Sequence, residues 1–236
     1  MASRVIAIDG PAASGKSSTA RAVAHTLGFA HLDSGALYRG VTLVALREAA
    51  RQGIAEPDVL DAMEPDVVLR HAEDRGLQLL PDGAGFATYL EGEPVDLAIR
   101  SREVTSHVSA ISAVPVIREW VNSYLRSIVR AGSDVVIDGR DIGTVVFPDA
   151  DLKIFLTATP EARAGRRITQ RGKAVDPERL RSETEALAAR DHADSTREVA
   201  PLQKAADAIE LDTTTLTFEQ QVQGIVTLAK ELFSAQ

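Results

Sequence analysis

The chain has 236 residues, is 44% hydrophobic but only 4% aromatic, contains no cysteine and carries a formal net charge of −8. That length suffices for one sizeable α/β domain with an aliphatic core, and the acidic balance excludes a global basic field for nucleic acid. Without cysteine there is no disulfide or thiolate metal site, which suits a reducing cytoplasm; neither a secretory leader nor a membrane-length apolar run is expected.

In chain order, Val5–Ile8 reads as a buried strand, residues 10–17 as a loop, and Ser17–Leu27 as a helix stopped by Gly28. Phe29–Leu32 reads as a second strand, followed by a helix from about Ala36 to Arg51, before Gly53. Residues 67–95 differ: Leu77–Leu80 and Phe86–Leu90 are strand-like, with turns at Pro81-Asp82-Gly83 and Glu91-Gly92. The whole stretch is expected to be a small antiparallel lobe inserted in an α/β chain. Helical patterning returns over Arg102–Arg130, then strands at 134–138 and 152–156, Arg-rich helices from Pro160 to about Arg190, a last strand at 208–211, and a helix capped by Thr217 that ends near Phe233. Strands alternating with helices predict a parallel sheet with helices on both faces.

Gly10-Pro11-Ala12-Ala13-Ser14-Gly15-Lys16-Ser17, followed by Ser18, fits G-x-x-x-x-G-K-[ST] between strand and helix. Gly10 and Gly15 allow positive φ, so that backbone N–H groups converge on phosphate oxygens, and the helix N-terminus adds its dipole. Lys16 would reach the β- and γ-phosphates of ATP, and Ser17 would ligate Mg²⁺. The alternative is a chance Gly/Ser-rich turn. A GTPase switch would carry Asn-Lys-x-Asp, but Asn122, the sole asparagine, is followed by Ser123. No basic groove with interleaved aromatics suggests a nucleic-acid motor.

Of three further clusters, the first two fall where strands should end, the edge that faces ligand in open α/β sheets, and the third falls on the Arg-rich helices. In Asp33-Ser34-Gly35-Ala36-Leu37-Tyr38-Arg39, Arg39 can fork onto a phosphate; alternatively, Ser34 or Asp33 only caps a helix. Asp138-Gly139-Arg140-Asp141 places a carboxylate at a strand end, the usual second Mg²⁺ element, with Arg140 and Asp141 facing different ligand groups; a polar turn with a local ion pair is the alternative. Residues 163–197 hold eight Arg and one Lys against six acidic residues. Arg163, Arg166, Arg167 and Arg171, together with Arg190, Asp194 and Arg197 at helical spacing, form either a phosphate-handling wall or a solvated ion-pair ladder.

The blocks Ser34–Arg39, Asp138–Pro148 and Lys153–Leu156, the Arg190-Asp191-x-x-Asp194-x-x-Arg197 pattern and Ala200-Pro201-Leu202 closely resemble bacterial cytidylate kinases, in order and over nearly the whole chain. The resemblance implies a three-layer P-loop nucleotide-kinase domain over residues 3–233. Its core would be residues 3–37, 119–158 and 198–233, its monophosphate lobe with the β-rich insert 38–118, and its mobile lid 159–197. It implies ATP and CMP or dCMP as substrates in pyrimidine nucleotide metabolism, Mg²⁺ as cofactor, and a cytoplasmic monomer with neither nucleic acid nor membrane as partner. Residue by residue, it implies that Gly10 to Ser18 hold ATP, that Lys16, Arg163, Arg167 and Arg171 act on the transferred phosphate, that Arg140, also catalytic, contacts the acceptor phosphate, and that Ser17 and Asp138 hold Mg²⁺. Ser34, Ser109, Arg118 and Asp141 would read cytosine; Tyr38 and Arg39 would join the acceptor site; Arg190, Asp194 and Arg197 would lie by the acceptor ribose. Two departures stand out: Ala12-Ala13-Ser14 occurs where relatives often place Ser-Gly-Ala, and Pro115-Val116-Ile117-Arg118 replaces Pro-x-Val-Arg. A kinase for another monophosphate or a small metabolite, or an ATP-dependent switch, remains the alternative.

Overall fold

The computed structural model describes residues 3–54, 63–83 and 85–234. In chain order the elements begin β1 (Val5–Asp9), α1 (Lys16–Leu27), β2 (Ala30–Asp33), α2 (Ser34–Gln52), α3 (Pro65–Asp74), β3 (Gln78–Asp82), β4 (Gly85–Leu90) and β5 (Glu93–Pro94). They continue α4 (Arg102–Ile111), α5 (Pro115–Arg130), β6 (Val135–Gly139), β7 (Leu152–Thr157), α6 (Pro160–Gln170), α7 (Pro177–Thr196), β8 (Ile209–Asp212) and α8 (Phe218–Ser234). The chain forms two compact units, residues 1–32 with 132–236, and residues 33–131. Among the described residues, no helix is long and apolar enough to cross a membrane.

The first unit is mixed α/β, with a mostly parallel sheet flanked by helices. Its strands run in the order β2-β6-β1-β7-β8, and β1 pairs in parallel with β6 (Val5↔Val135) and with β7 (Ile6↔Leu152). Every residue of β1 and β6 is buried, as expected of central parallel strands read as continuous apolar runs. Ile6, Ile8, Val136, Ile154 and Leu156 pack with Ala20, Val23 and Ala24 of α1 and Ile225, Val226 and Ala229 of α8. Gly28 ends α1 at φ +72, where Phe29 N–H donates to the carbonyl of Ala24 at 2.9 Å. Thr217 caps α8 reciprocally: Gln220 N–H donates to its Oγ1 at 3.2 Å and its own N–H to Gln220 Oε1 at 2.9 Å.

In the second unit, β3 and β4 form an antiparallel hairpin (Gln78↔Tyr89) and β5 adds to β4. The expected antiparallel lobe starts too early at residue 67, because α3 occupies Pro65–Asp74. Val67-Val68-Leu69 looks strand-like, but Pro65 and Asp66 form a helix start, and Val68, Leu69 and Ala72 bury one helical face. Pro81 and Asp82 belong to β3, paired with Phe86 and Gly85, rather than to the turn. The helical stretch 102–130 is two helices, broken before Pro115. Gly40 on α2 is required by a close approach: a Cβ there would lie 2.6 Å from Leu77 Cδ1.

Candidate active site

The P-loop leaves β1 at Gly10, whose φ is +154 and where a Cβ would fall 2.2 Å from the Leu156 carbonyl oxygen. A side chain cannot fit between β1 and β7 there, so the loop begins on glycine. Gly15 (φ +89) turns the chain into α1, which starts at Lys16, one residue earlier than the sequence pattern suggests. Ala13 adopts φ +58, a left-handed conformation without glycine's freedom, which costs about 1 kcal/mol. Ser18 is exposed on α1 and donates to the Gly15 carbonyl at 2.8 Å.

Lys16 is buried, its ammonium donating to the Pro11 carbonyl at 3.1 Å. Burial, and then the nearby guanidinium of Arg140, push it down to about 7; Arg190 adds to this, while Asp138 and Asp194 oppose. Asp138, the penultimate residue of β6, has both oxygens engaged: Ser17 Oγ donates to one at 2.5 Å and His31 Nε2 lies 2.8 Å from the other. Burial raises the Asp138 carboxyl, but the His31 contact, Lys16 and Ser17 outweigh it and hold it below the usual range. The two residues expected at a Mg²⁺ site are therefore adjacent. His31, from β2, was not singled out in the sequence.

Arg140 and Asp141 do not pair with each other. Arg140 Nε donates to Asp194 of α7 at 2.9 Å, and Arg197 Nη2 lies 3.5 Å from Asp141 Oδ1. Burial raises the Asp194 carboxyl, but Arg140, Arg190 and Arg197 together hold it below its ordinary value. The helical face proposed for Arg190, Asp194 and Arg197 is corrected at its last member: α7 ends at Thr196, and Arg197 is extended (φ −61, ψ 144). From that position its guanidinium reaches back to the Ala200 carbonyl as well as to Asp141.

Arg163, Arg167 and Arg171 rest on acidic partners. Arg163 is buried and donates to the carbonyls of Ala158 (3.1 Å) and Ala12 (2.8 Å) and to Asp191 (2.5 Å). Asp191 also accepts the Ala12 N–H at 2.8 Å. Both backbone groups of Ala12 are thus held by the α6–α7 pair, and Ala12 packs with Ala164 and Leu187. Arg167 and Arg171 share Glu183, at 3.0 and 2.7 Å, and Arg166 donates to Thr213. Glu183 escaped the sequence reading, and Asp191 entered it only as part of the Arg190–Arg197 pattern without a role, because an acidic residue in an Arg-rich helix resembles ordinary surface pairing.

Asp9, also missed, closes β1 and is 5% exposed; it accepts the N–H groups of Ile142 (2.9 Å) and Gly143 (2.8 Å). Burial pushes its carboxyl up to about 6; those two N–H donors lower it in part, Asp141 repels it and Lys16 favours its charge.

In the second unit, Ser34 opens α2 as its first, buried residue, with Tyr38 one turn on. Asp33 precedes the helix without a side-chain capping bond and pairs with Arg100 at 3.1 Å. The Arg118 guanidinium lies over the Tyr38 ring, 5.5 Å from its centroid, and donates to the Ser112 carbonyl at 2.9 Å. Arg39 donates to Thr105 Oγ1 at 2.9 Å and to the Ile99 carbonyl. Ser109, on α4, accepts the Ser112 hydroxyl on its carbonyl oxygen.

The shifted groups give stability an unusual pH profile. Between about pH 4 and 6 the folded state keeps the Asp9 proton that the unfolded chain loses, so this contribution falls as pH rises, by up to about 3 kcal/mol. Between about pH 7 and 10 the unfolded chain holds the Lys16 proton that the folded state has lost, so stability rises with pH, by up to about 5 kcal/mol. Urea unfolding at one-unit pH steps should show Asp9→Asn flattening the acidic limb and Lys16→Met the alkaline limb. Parallel profiles for wild type and both variants would remove these assignments.

The sequence matches the family described as cytidylate kinase over residues 6–231. It is 45% identical over 227 residues to a cytidylate kinase of Streptomyces griseus, covering 96% of this chain and 92% of that one. It is 44% identical over 238 residues to one from Streptococcus suis (98% and 99% covered), and 41% over 237 residues to one from Chloroherpeton thalassium (98% and 94%). A matched region that runs from β1 into α8, and so includes the P-loop, Asp138–Asp141 and the α6–α7 arginines, leaves one assignment: the chain belongs to the cytidylate kinase family.

Proposed function

We infer that the protein is a phosphotransferase that moves the γ-phosphate of ATP to CMP, giving ADP and CDP, with dCMP as a second acceptor. The observation that carries this, beside family membership, is the set of cations Lys16, Arg140 and Arg190 next to a complete P-loop. In the reaction an acceptor phosphate oxygen forms a bond to the γ-phosphorus, the bond from that phosphorus to the β,γ-bridging oxygen breaks, and ADP leaves with the electron pair. The attacking oxygen is already anionic near pH 7, so the chain need supply no general base; positioning and charge stabilisation carry the catalysis. Lys16 would neutralise the β- and γ-phosphates, and Arg140 the acceptor phosphate. Arg163, clasped to Ala12, would hold the loop in shape, and Arg167 and Arg171 would exchange Glu183 for phosphate.

Ser17 and Asp138 fit Mg²⁺, being hard oxygen donors already side by side. Among the described residues no group of three or more acidic or histidine side chains could hold a metal, so the ion's remaining ligands would be phosphate oxygens and water. When bound with ATP it would supply charge neutralisation at the phosphates. Ser34, Tyr38, Arg39, Ser109 and Arg118 would contact the acceptor.

The test is ADP release, measured against CMP, dCMP, UMP, AMP and no acceptor. CMP should give the highest kcat/KM. Preference for AMP or UMP would end the cytidylate reading, and slow, acceptor-independent hydrolysis would instead indicate a switch.

A further inference from the structure

We propose that Asp9 is a positioning residue for acceptor recognition, its carboxylate fixing the backbone that aims Arg140 and Asp141. The inference rests on the proposed function, in which those two residues meet CMP.

Both Asp9 oxygens are spent on two consecutive amides, Ile142 at 2.9 Å and Gly143 at 2.8 Å, immediately after Asp141. These amides open a single wide helical turn, in which Val146 N–H donates to the Asp141 carbonyl and Phe147 N–H to that of Ile142, five residues back. Such π-type turns are rare and concentrate at functional sites. The first amides of a helical turn lack intrahelical acceptors, and here a buried carboxylate supplies them. Space beside the turn is tight: a Cβ on Gly143 would lie 3.1 Å from Lys153 Cδ and 3.5 Å from Asp9 Oδ2. Lys153 is itself tied to Asp207 at 2.7 Å and to the Pro148 carbonyl. With its first two amides held by Asp9 and Lys153 packed close to Gly143, the turn leaves Arg140 and Asp141 little freedom to re-aim.

Asp9 pairs with Gly139 across β1 and β6 and directly precedes Gly10. One side chain therefore stands at the root of the ATP loop and grips the start of the acceptor loop. Its charge is held against burial and against Asp141, so the residue is poorly suited to be a stability device. A neutral hydrogen-bonding residue would fold as well, but Asn would offer one acceptor oxygen to two N–H donors and turn its own NH₂ toward the second.

The experiment is Asp9→Asn, with kcat and KM measured separately for ATP, CMP and UMP, together with thermal unfolding. Misplacing a positioned group by about 1 Å can cost roughly 100-fold. The expected result is a rise of tenfold or more in KM for CMP, a narrowed CMP:UMP ratio in kcat/KM, KM for ATP within about threefold, and a Tm no lower than that of wild type. Unchanged CMP constants would overturn the proposal, as would a fall in Tm with the CMP:UMP ratio intact, which marks a purely structural carboxylate. If the variant does not fold, amide hydrogen exchange on wild type decides. Protected Ile142 and Gly143 amides support the proposal, and exchange at the rate of exposed loop amides overturns it. A wild type that ignores CMP refutes the proposed function, while the exchange result still reports on Asp9.

Discussion

Lys16→Ala should lower kcat by about a hundredfold or more with the fold intact, because in the proposed reaction its ammonium would act where negative charge develops in the transition state. The residue is buried at the first position of α1, and its pKa falls to about 7 under burial and the fields of Arg140 and Arg190. Arriving triphosphate reverses that field. Above pH 7, ATP binding should therefore take up about one proton at Lys16, seen as a buffer-dependent binding enthalpy in titration calorimetry. The variant should lose both the turnover and the proton uptake. A folded Lys16→Ala protein with near-normal kcat would sink the ATP-site assignment.

Asp141→Ala should lower kcat/KM for CMP far more than for UMP. Cytosine presents an amino group at position 4 where uracil presents a carbonyl, and an ionised carboxylate only accepts hydrogen bonds. Asp141 is 4% exposed, so facing uracil would leave a buried acceptor against an acceptor, at a cost of about 1–3 kcal/mol or more. That corresponds to roughly tenfold to over a hundredfold discrimination. Ser34→Ala should act in the same direction, more weakly. The measurement is kcat/KM for CMP, dCMP and UMP on wild type and both variants. An unchanged CMP:UMP ratio in Asp141→Ala would make Asp141 structural and leave Arg118 and Ser109 as the base-reading candidates.

The parts legible in the sequence are those whose physics is local. The P-loop, the apolar runs of β1, β6 and β7, the stop at Gly28 and the cap at Thr217 each depend on residues within one turn or strand. Local rules could also have located α3, through Pro65 and Asp66, but the sequence reading started its antiparallel lobe at residue 67 without weighing them. What stayed hidden is long-range pairing. Asp9 meets Ile142, His31 meets Asp138, and Asp191 meets Ala12, across separations of 133, 107 and 179 residues. Nothing periodic marks such partners. Arg197 was misplaced for the opposite reason: helical spacing was extended past Thr196, although it is the extended backbone beyond the helix that carries the guanidinium to Asp141.

The first unit is assembled from two distant stretches of chain, and synthesis feels the gap. β1 takes its sheet neighbours from β6 and β7, with Val5 opposite Val135 and Ile6 opposite Leu152. At about 5–20 residues per second, the ribosome needs roughly 6–25 s after β1 to produce β6. Throughout that interval an apolar strand, Val5-Ile6-Ala7-Ile8, has neither of its partners. Residues 33–131 are complete before the unit that both precedes and follows them can close. Sequence-distant parallel pairing is slow to form and exposed to aggregation, so the nascent chain is most vulnerable at its first strand, and chaperone demand should concentrate there.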